Sequence, residues 1–260
     1  MKQICADLAA EHAALDEIVA RLAPEQWDLA TPAENWAIRD QIGHLAYFDA
    51  RGRAAAEDPE RFQREAQAAL ASLDRFAWES GERGRTLPAG ELLAWWREER
   101  AAMLQAFERL TPRDRLPWYG PDMSALSFAT ARLMETWAHG QDIADTLGVR
   151  REATDRLRHV AHLGVTTFRW SYATRRRQAP QGTVRVELTS PSGQRWVWNE
   201  EAMENRVSGP AEEFCLVVTQ RRHLADTALE VEGALAQEWM AIAQAYAGPP
   251  GPGRRPGKSA

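Results

Sequence analysis

Long apolar runs are missing from this chain. No stretch of about 18 consecutive apolar residues occurs, so no segment is expected to span a bilayer. The opening MKQICADLAAEHAALDE carries acids and a histidine where a secretory leader needs an unbroken apolar stretch, and reads as a mature helix. Cysteine is scarce: Cys5 and Cys215 are far apart and form no CxxC pair. That argues against a disulfide framework and makes a reducing cytoplasm the simplest home. Cys215, inside FCLVV, reads as a small buried hydrophobe. An excess of positive charge is missing too. Lys plus Arg number 32 against 37 Asp plus Glu, a formal charge of −5. Without a basic stripe to neutralise phosphates, no nucleic-acid partner is expected. There is no GxSxG elbow for a nucleophilic hydrolase, and no glycine loop of the Walker or dinucleotide type.

What the chain does have is 260 residues, 44 % of them hydrophobic, enough for one large domain or two modest ones. Eleven tryptophans offer core anchors, a few of which could line a pocket. Apolar residues recur at helical spacing over 2–22, 38–56, 89–110 and 124–147, the last closed by Gly148 as a C-terminal cap. PEQWDLATPAENW, punctuated by Pro24 and Pro32, reads as an ordered loop with buried tryptophans. Pro59 opens a charged, alanine-rich helix towards Trp78, after which Gly81, Gly84 and Pro88 break the chain. These helices predict an antiparallel bundle with short connections.

The pattern changes after about residue 180. VRVELTS and RWVWNEE flank Pro191-Ser192-Gly193 as a hairpin, and NRVSG offers a third strand. GPAEEFCLVV opens a helix, and ALEVEGALAQEWMAIAQAYAG gives a strand and a final helix. The expected fold class is α+β. A helical bundle with a linker helix at about 152–173 covers 1–175, a small α+β domain covers 176–248, and a disordered tail covers 249–260.

The strongest chemical signal is METWAHGQD. Glu135 and His139 are four residues apart, so their side chains leave one helical face a turn apart and can grip one divalent cation. The pair alone is weak, since a solvated surface pair has the same spacing. Leu133, Thr136, Trp137 and Ala138 make the helix mainly buried, however, and a buried Glu needs a partner to offset its desolvation. His44, in DQIGHLAYFD, stands on the apolar face formed by Ile38, Ile42 and Leu45. A lone histidine there is usually a hydrogen-bonded core residue. If the two helices pack side by side, it becomes the third ligand, and three protein ligands with an open position describe a catalytic metal site. Asp142 is either an acceptor for an imidazole N–H or a surface carboxylate. Asp49 and His12 are weaker candidates for the site, with a structural role as the other reading.

The runs TPAENWAIRDQIGHLAYFD and LMETWAHGQD resemble the N-terminal bundle of the mycothiol-dependent maleylpyruvate isomerase family, within the DinB-like superfamily. Members pair a threonine-proline, a tryptophan and a histidine-leucine with a later Glu-x-x-x-His. The wider superfamily often has His-x-x-x-His, so Glu135 favours the isomerase branch. GPAEEFCLVVTQRRHLADTALEVEGALAQEWMAIAQAYAGPPG resembles that family's C-terminal domain, which is similar to sterol-carrier-type α+β folds. The resemblance implies a Zn2+ ion on His44, Glu135 and His139, with mycothiol or a similar low-molecular-weight thiol as cosubstrate. It also implies an actinobacterial source. The thiolate could add to an electrophilic double bond or displace a leaving group, so isomerisation and S-transfer on a small electrophilic substrate both stay open. Arg221 and Arg222, in QRRH, are candidate anchors for a substrate carboxylate, the other reading being surface arginines. The RRR at 175–177 reads as a solvated turn. Two other readings remain: a relative recruited to a biosynthetic step without metal or thiol, and a non-catalytic small-molecule carrier. The intact His44, Glu135 and His139 count against the carrier.

Overall fold

The computed structural model describes residues 1–70 and 83–257, arranged as two compact units, Met1–Arg150 and Arg151–Ala260. Among the described residues, no helix is long and apolar enough to cross a membrane.

The first unit is helical. Its elements are α1 (Lys2–Val19), α2 (Ile38–Glu57), α3 (Pro59–Leu70), α4 (Ala89–Glu108) and α5 (Ala125–Leu147). A two-residue pair, β1 (Arg115–Leu116) and β2 (Met123–Ser124), lies between α4 and α5. The helix expected to run to Trp78 is described to Leu70; Trp78 and Gly81 lie outside the described residues. α2 packs most extensively on α4, and α1 on α5, with further packing of α2 on α5. The apolar stripes that predicted these helices meet in one core, which includes Leu15, Ile38, Ile42, Leu45, Leu92 and Trp96. Each such fully buried side chain contributes ~1.5–3 kcal/mol relative to exposure. Gly52 lets α2 approach its neighbours: a Cβ there would lie 3.0 Å from Met103 Sδ and 3.2 Å from the Phe128 ring.

The second unit holds α6 (Leu157–Thr166), α7 (Phe168–Ala173), β3 (Arg185–Thr189), β4 (Arg195–Trp198), β5 (Arg206–Pro210), α8 (Ala211–Val218), β6 (Glu230–Glu232) and α9 (Ala234–Met240). Its strands form one sheet in the order β4-β3-β5-β6. β3 pairs antiparallel with β4 and parallel with β5, and β5 pairs antiparallel with β6. Val186 and Leu188 point into the core while Arg185 and Glu187 alternate outward. The expected hairpin is β3–β4, closed by Gly193 at φ 83°.

The helix expected at 152–173 as a linker extending the first unit is instead part of the second. α6 packs on α8, where a Cβ on Gly164 would lie 2.8 Å from a Val218 methyl. It also breaks into α6 and α7 at Thr167, whose hydroxyl donates to the carbonyls of Leu163 and Gly164. Of the tail, Gly257 N–H donates to the Asp226 carboxylate, and 258–260 lie outside the described residues.

Candidate metal centre

Two capped helices present the site. α2 begins where the Asp40 carboxylate accepts the Ala37 N–H at 2.8 Å, which satisfies one orphan donor and sets negative charge at the helix start. α5 starts with Ser124 Oγ accepting from Ser127 N–H and ends at Gly148, in the left-handed conformation at φ 62°. Upstream of α2, Thr31 N–H and Trp36 C=O bond at 2.7 Å across a tight loop, bringing the Trp36 ring back over the site. Residue 84 rests against α2 next to His44: a Cβ on Gly84 would lie 2.9 Å from Gly43 Cα.

The packing of α2 on α5 brings His44, Glu135 and His139 together, with one ligand atom of each within 4.8 Å of the others. His139 Nε2 lies 3.1 Å from Glu135 Oε2, and His44 Nε2 lies 4.0 Å from the same oxygen. A tetrahedral ion with bonds of ~2.0–2.2 Å needs its ligand atoms about 3.3–3.6 Å apart, so small side-chain rotations suffice. Trp36 stacks on His139 at 5.7 Å between centroids and 15° between planes, and Phe48 packs on His44 at 4.6 Å. The group is half-enclosed: the side chains of Glu135 and His44 are 20 % and 19 % exposed.

Burial raises the Glu135 pKa. The hydrogen bond and charge of His139, with the charges of His44 and Arg132, outweigh that and hold the carboxyl at about 2. Glu135 is therefore a carboxylate at neutral pH, as a metal ligand must be.

The partner of His139 Nδ1 is Gln41 Oε1. Gln41 is fully buried, and its amide N–H donates to Thr31 Oγ1 at 2.9 Å, while the Thr31 hydroxyl donates to Trp36 C=O at 2.8 Å. That sequence fixes the Gln41 oxygen towards the imidazole, so Nδ1 carries the proton. Sequence reasoning weighed Asp142 for this role and missed Gln41. The available signal was a glutamine three residues before His44, on the same face of the helix.

One turn from Glu135, Arg132 makes a buried ion pair with Asp49, with Nη2 at 2.8 Å from Oδ1. His12 is buried beside it, its Nε2 3.9 Å from Asp49 Oδ2. Asp49 and His12 are thus both buried in the interior of the first unit. Arg221 and Arg222 belong to the second unit and follow α8. Arg221 Nη1 donates to Thr219 C=O, and Arg222 Nη1 to Arg221 C=O, both at 2.7 Å.

Residues 8–144, more than half of the chain, match the family model described as the mycothiol maleylpyruvate isomerase N-terminal domain. The chain belongs to this family. Residues 180–231 match the model described as wyosine base formation. Over 249 residues the isomerase-family chain is 44 % identical to an uncharacterized protein of Mycobacterium tuberculosis, found in two strains; the match covers 96 % of this chain and 97 % of that one. Among solved structures it is similar to the mycothiol-dependent maleylpyruvate isomerase and to a histidine-to-alanine mutant of it. The TM-score is 0.55 at 16 % identity, over 85 % of this chain and 89 % of that one. At that identity the likeness concerns the fold, a mixture of helices and sheet.

Proposed function

We propose that this protein is a metal-dependent enzyme using a low-molecular-weight thiol, mycothiol or a close analogue, on a small electrophilic substrate. The observation that carries the metal is the convergence of three ligand atoms. With its Nδ1 committed to Gln41, His139 turns Nε2 towards a Glu135 oxygen 3.1 Å away, and His44 Nε2 faces the same oxygen at 4.0 Å, so that one divalent ion can engage all three.

The donor set of two imidazoles and one carboxylate suits Zn2+, with three protein ligands and a position left open. The ion would supply Lewis acidity, lowering the pKa of a thiol at the open position so that it loses its proton near neutral pH. The protein's own part is to hold His44, Glu135 and His139 in one orientation and to cover the site with the Trp36 and Phe48 rings, which limit access of water. For a carboxylated substrate, the second unit offers Arg221 and Arg222. We read α1, α2, α4 and α5 as the antiparallel DinB-like four-helix bundle, and the second unit as the family's sterol-carrier-like domain.

Cobalt(II) substitution tests the thiol. Adding mycothiol to the cobalt protein should produce a sulfur-to-cobalt charge-transfer band, which an alcohol analogue of the thiol should not produce. A cobalt protein whose spectrum ignores the thiol would leave a metal site without thiol chemistry. Isomerisation and S-transfer are then separated by product analysis: the first regenerates the free thiol, and the second consumes it.

A further inference from the structure

We propose that Gln41 is the positioning residue that sets metal affinity at this site, through a hydrogen-bond relay from the Thr31–Trp36 loop to His139. The inference rests on the metal reading above and extends it to residues that bear no ligand atom. The relay has a single direction. The Thr31 hydroxyl gives its proton to Trp36 C=O and so can only accept from the Gln41 amide. The Gln41 oxygen is thereby left for His139 Nδ1–H, and Nε2 is the nitrogen turned towards Glu135, where an ion would take its lone pair. Reversing the amide would place N–H groups against Nδ1, force the proton onto Nε2 and close that nitrogen to an ion. Gln41 is itself buried at 0 % exposure, so water does not compete for its amide.

The relay also ties the ligand to the rim of the site. Trp36, whose carbonyl terminates the chain of bonds, is the residue whose ring stacks on His139. His139 is therefore held twice by one loop, through its Nδ1 proton and through its ring face. A histidine ligand ordinarily donates its second N–H to a partner that fixes its tautomer, and loss of such a partner costs 10–100-fold in metal affinity. A neutral amide in that place supports a weaker ligand than a carboxylate would, because it adds no negative charge to the imidazole.

The test is cobalt and zinc affinity of the whole chain, measured by competition with a chromogenic chelator, for the wild type and three variants. Gln41→Met removes the acceptor at similar volume and should weaken binding 10–100-fold. Gln41→Glu keeps the acceptor and should bind at least as tightly as the wild type. Thr31→Val leaves Gln41 in place but unanchored, and should fall between wild type and Gln41→Met. Equal affinity in wild type and Gln41→Met would overturn the inference while leaving the metal site standing, as would failure of Gln41→Glu to retain binding. A wild type that takes up no ion would overturn both this inference and the reading of the site. Circular dichroism of the metal-free proteins separates lost folding from lost binding.

Discussion

Arg132 and Asp49 form a buried ion pair, 4 % and 0 % exposed, one helical turn from the Glu135 that faces the two histidines. Two guanidinium nitrogens converge on one carboxylate oxygen, at 3.0 and 2.8 Å. The pair joins α2 to α5, the same two helices that carry the site. It also places a fixed positive charge where it favours the ionised form of Glu135.

Removing one partner of this pair strands the other charge in the interior. Arg132→Met should destabilise the protein by ~3–5 kcal/mol, and Asp49→Leu by a similar amount. The double variant should recover much of that loss, because no uncompensated charge remains. Urea unfolding of the two single variants and the double one measures the coupling directly. Additive losses would show that the pair does not act as a unit.

His12 makes stability depend on pH. Burial first, then the positive charges of Arg100 and Arg132, push its pKa well below the ordinary 6.5. The folded state therefore keeps His12 neutral where the unfolded chain protonates it. Below pH 6.5 the unfolded state binds more protons, so stability rises with pH through that window and is lost as pH falls. The His12 contribution to the slope reaches up to ~1.4 kcal/mol per pH unit. His12→Leu should flatten the slope between pH 5 and 6.5, as measured by chemical unfolding at a series of pH values. An unchanged slope would place the proton uptake elsewhere.

Gly148 ends α5 at φ 62° with nothing within 4 Å of an added Cβ. A substitution there is strained in the backbone alone. Gly148→Ala should cost ~1–2 kcal/mol, and Gly148→Asn less, because asparagine tolerates the left-handed conformation. A thermal melt of each variant checks the order. Equal melting temperatures for the alanine variant and the wild type would mean that the cap relaxes to another conformation.

The long helices could be read from the sequence because their apolar residues recur at helical spacing and their ends carry recognisable caps, as Ser124 and Gly148 do for α5. The Glu135–His139 pair was equally visible, since four-residue spacing on one helix fixes a shared face. His44 required the packing of α2 on α5, which periodicity does not supply. Gln41 went unseen because an amide announces neither charge nor metal affinity, and only its burial against His139 gives it a role. Arg132 was a missed signal: a guanidinium within the mainly buried run TARLMETWAHG demands a buried carboxylate, and Asp49 is that partner. The break of the 152–173 helix at Thr167 was hidden because Thr166-Thr167 lowers helix propensity without forbidding a helix.

The central claim is that His44, Glu135 and His139 hold one divalent ion. Elemental mass spectrometry of the purified chain, after equilibration with zinc and removal of excess, tests it alongside His44→Ala and His139→Ala. The account predicts about one zinc per chain in the wild type and near zero in both variants, all three keeping their helical circular dichroism. A folded wild type that retains no zinc would contradict it, and would leave Glu135 and His139 as a hydrogen-bonded pair on α5.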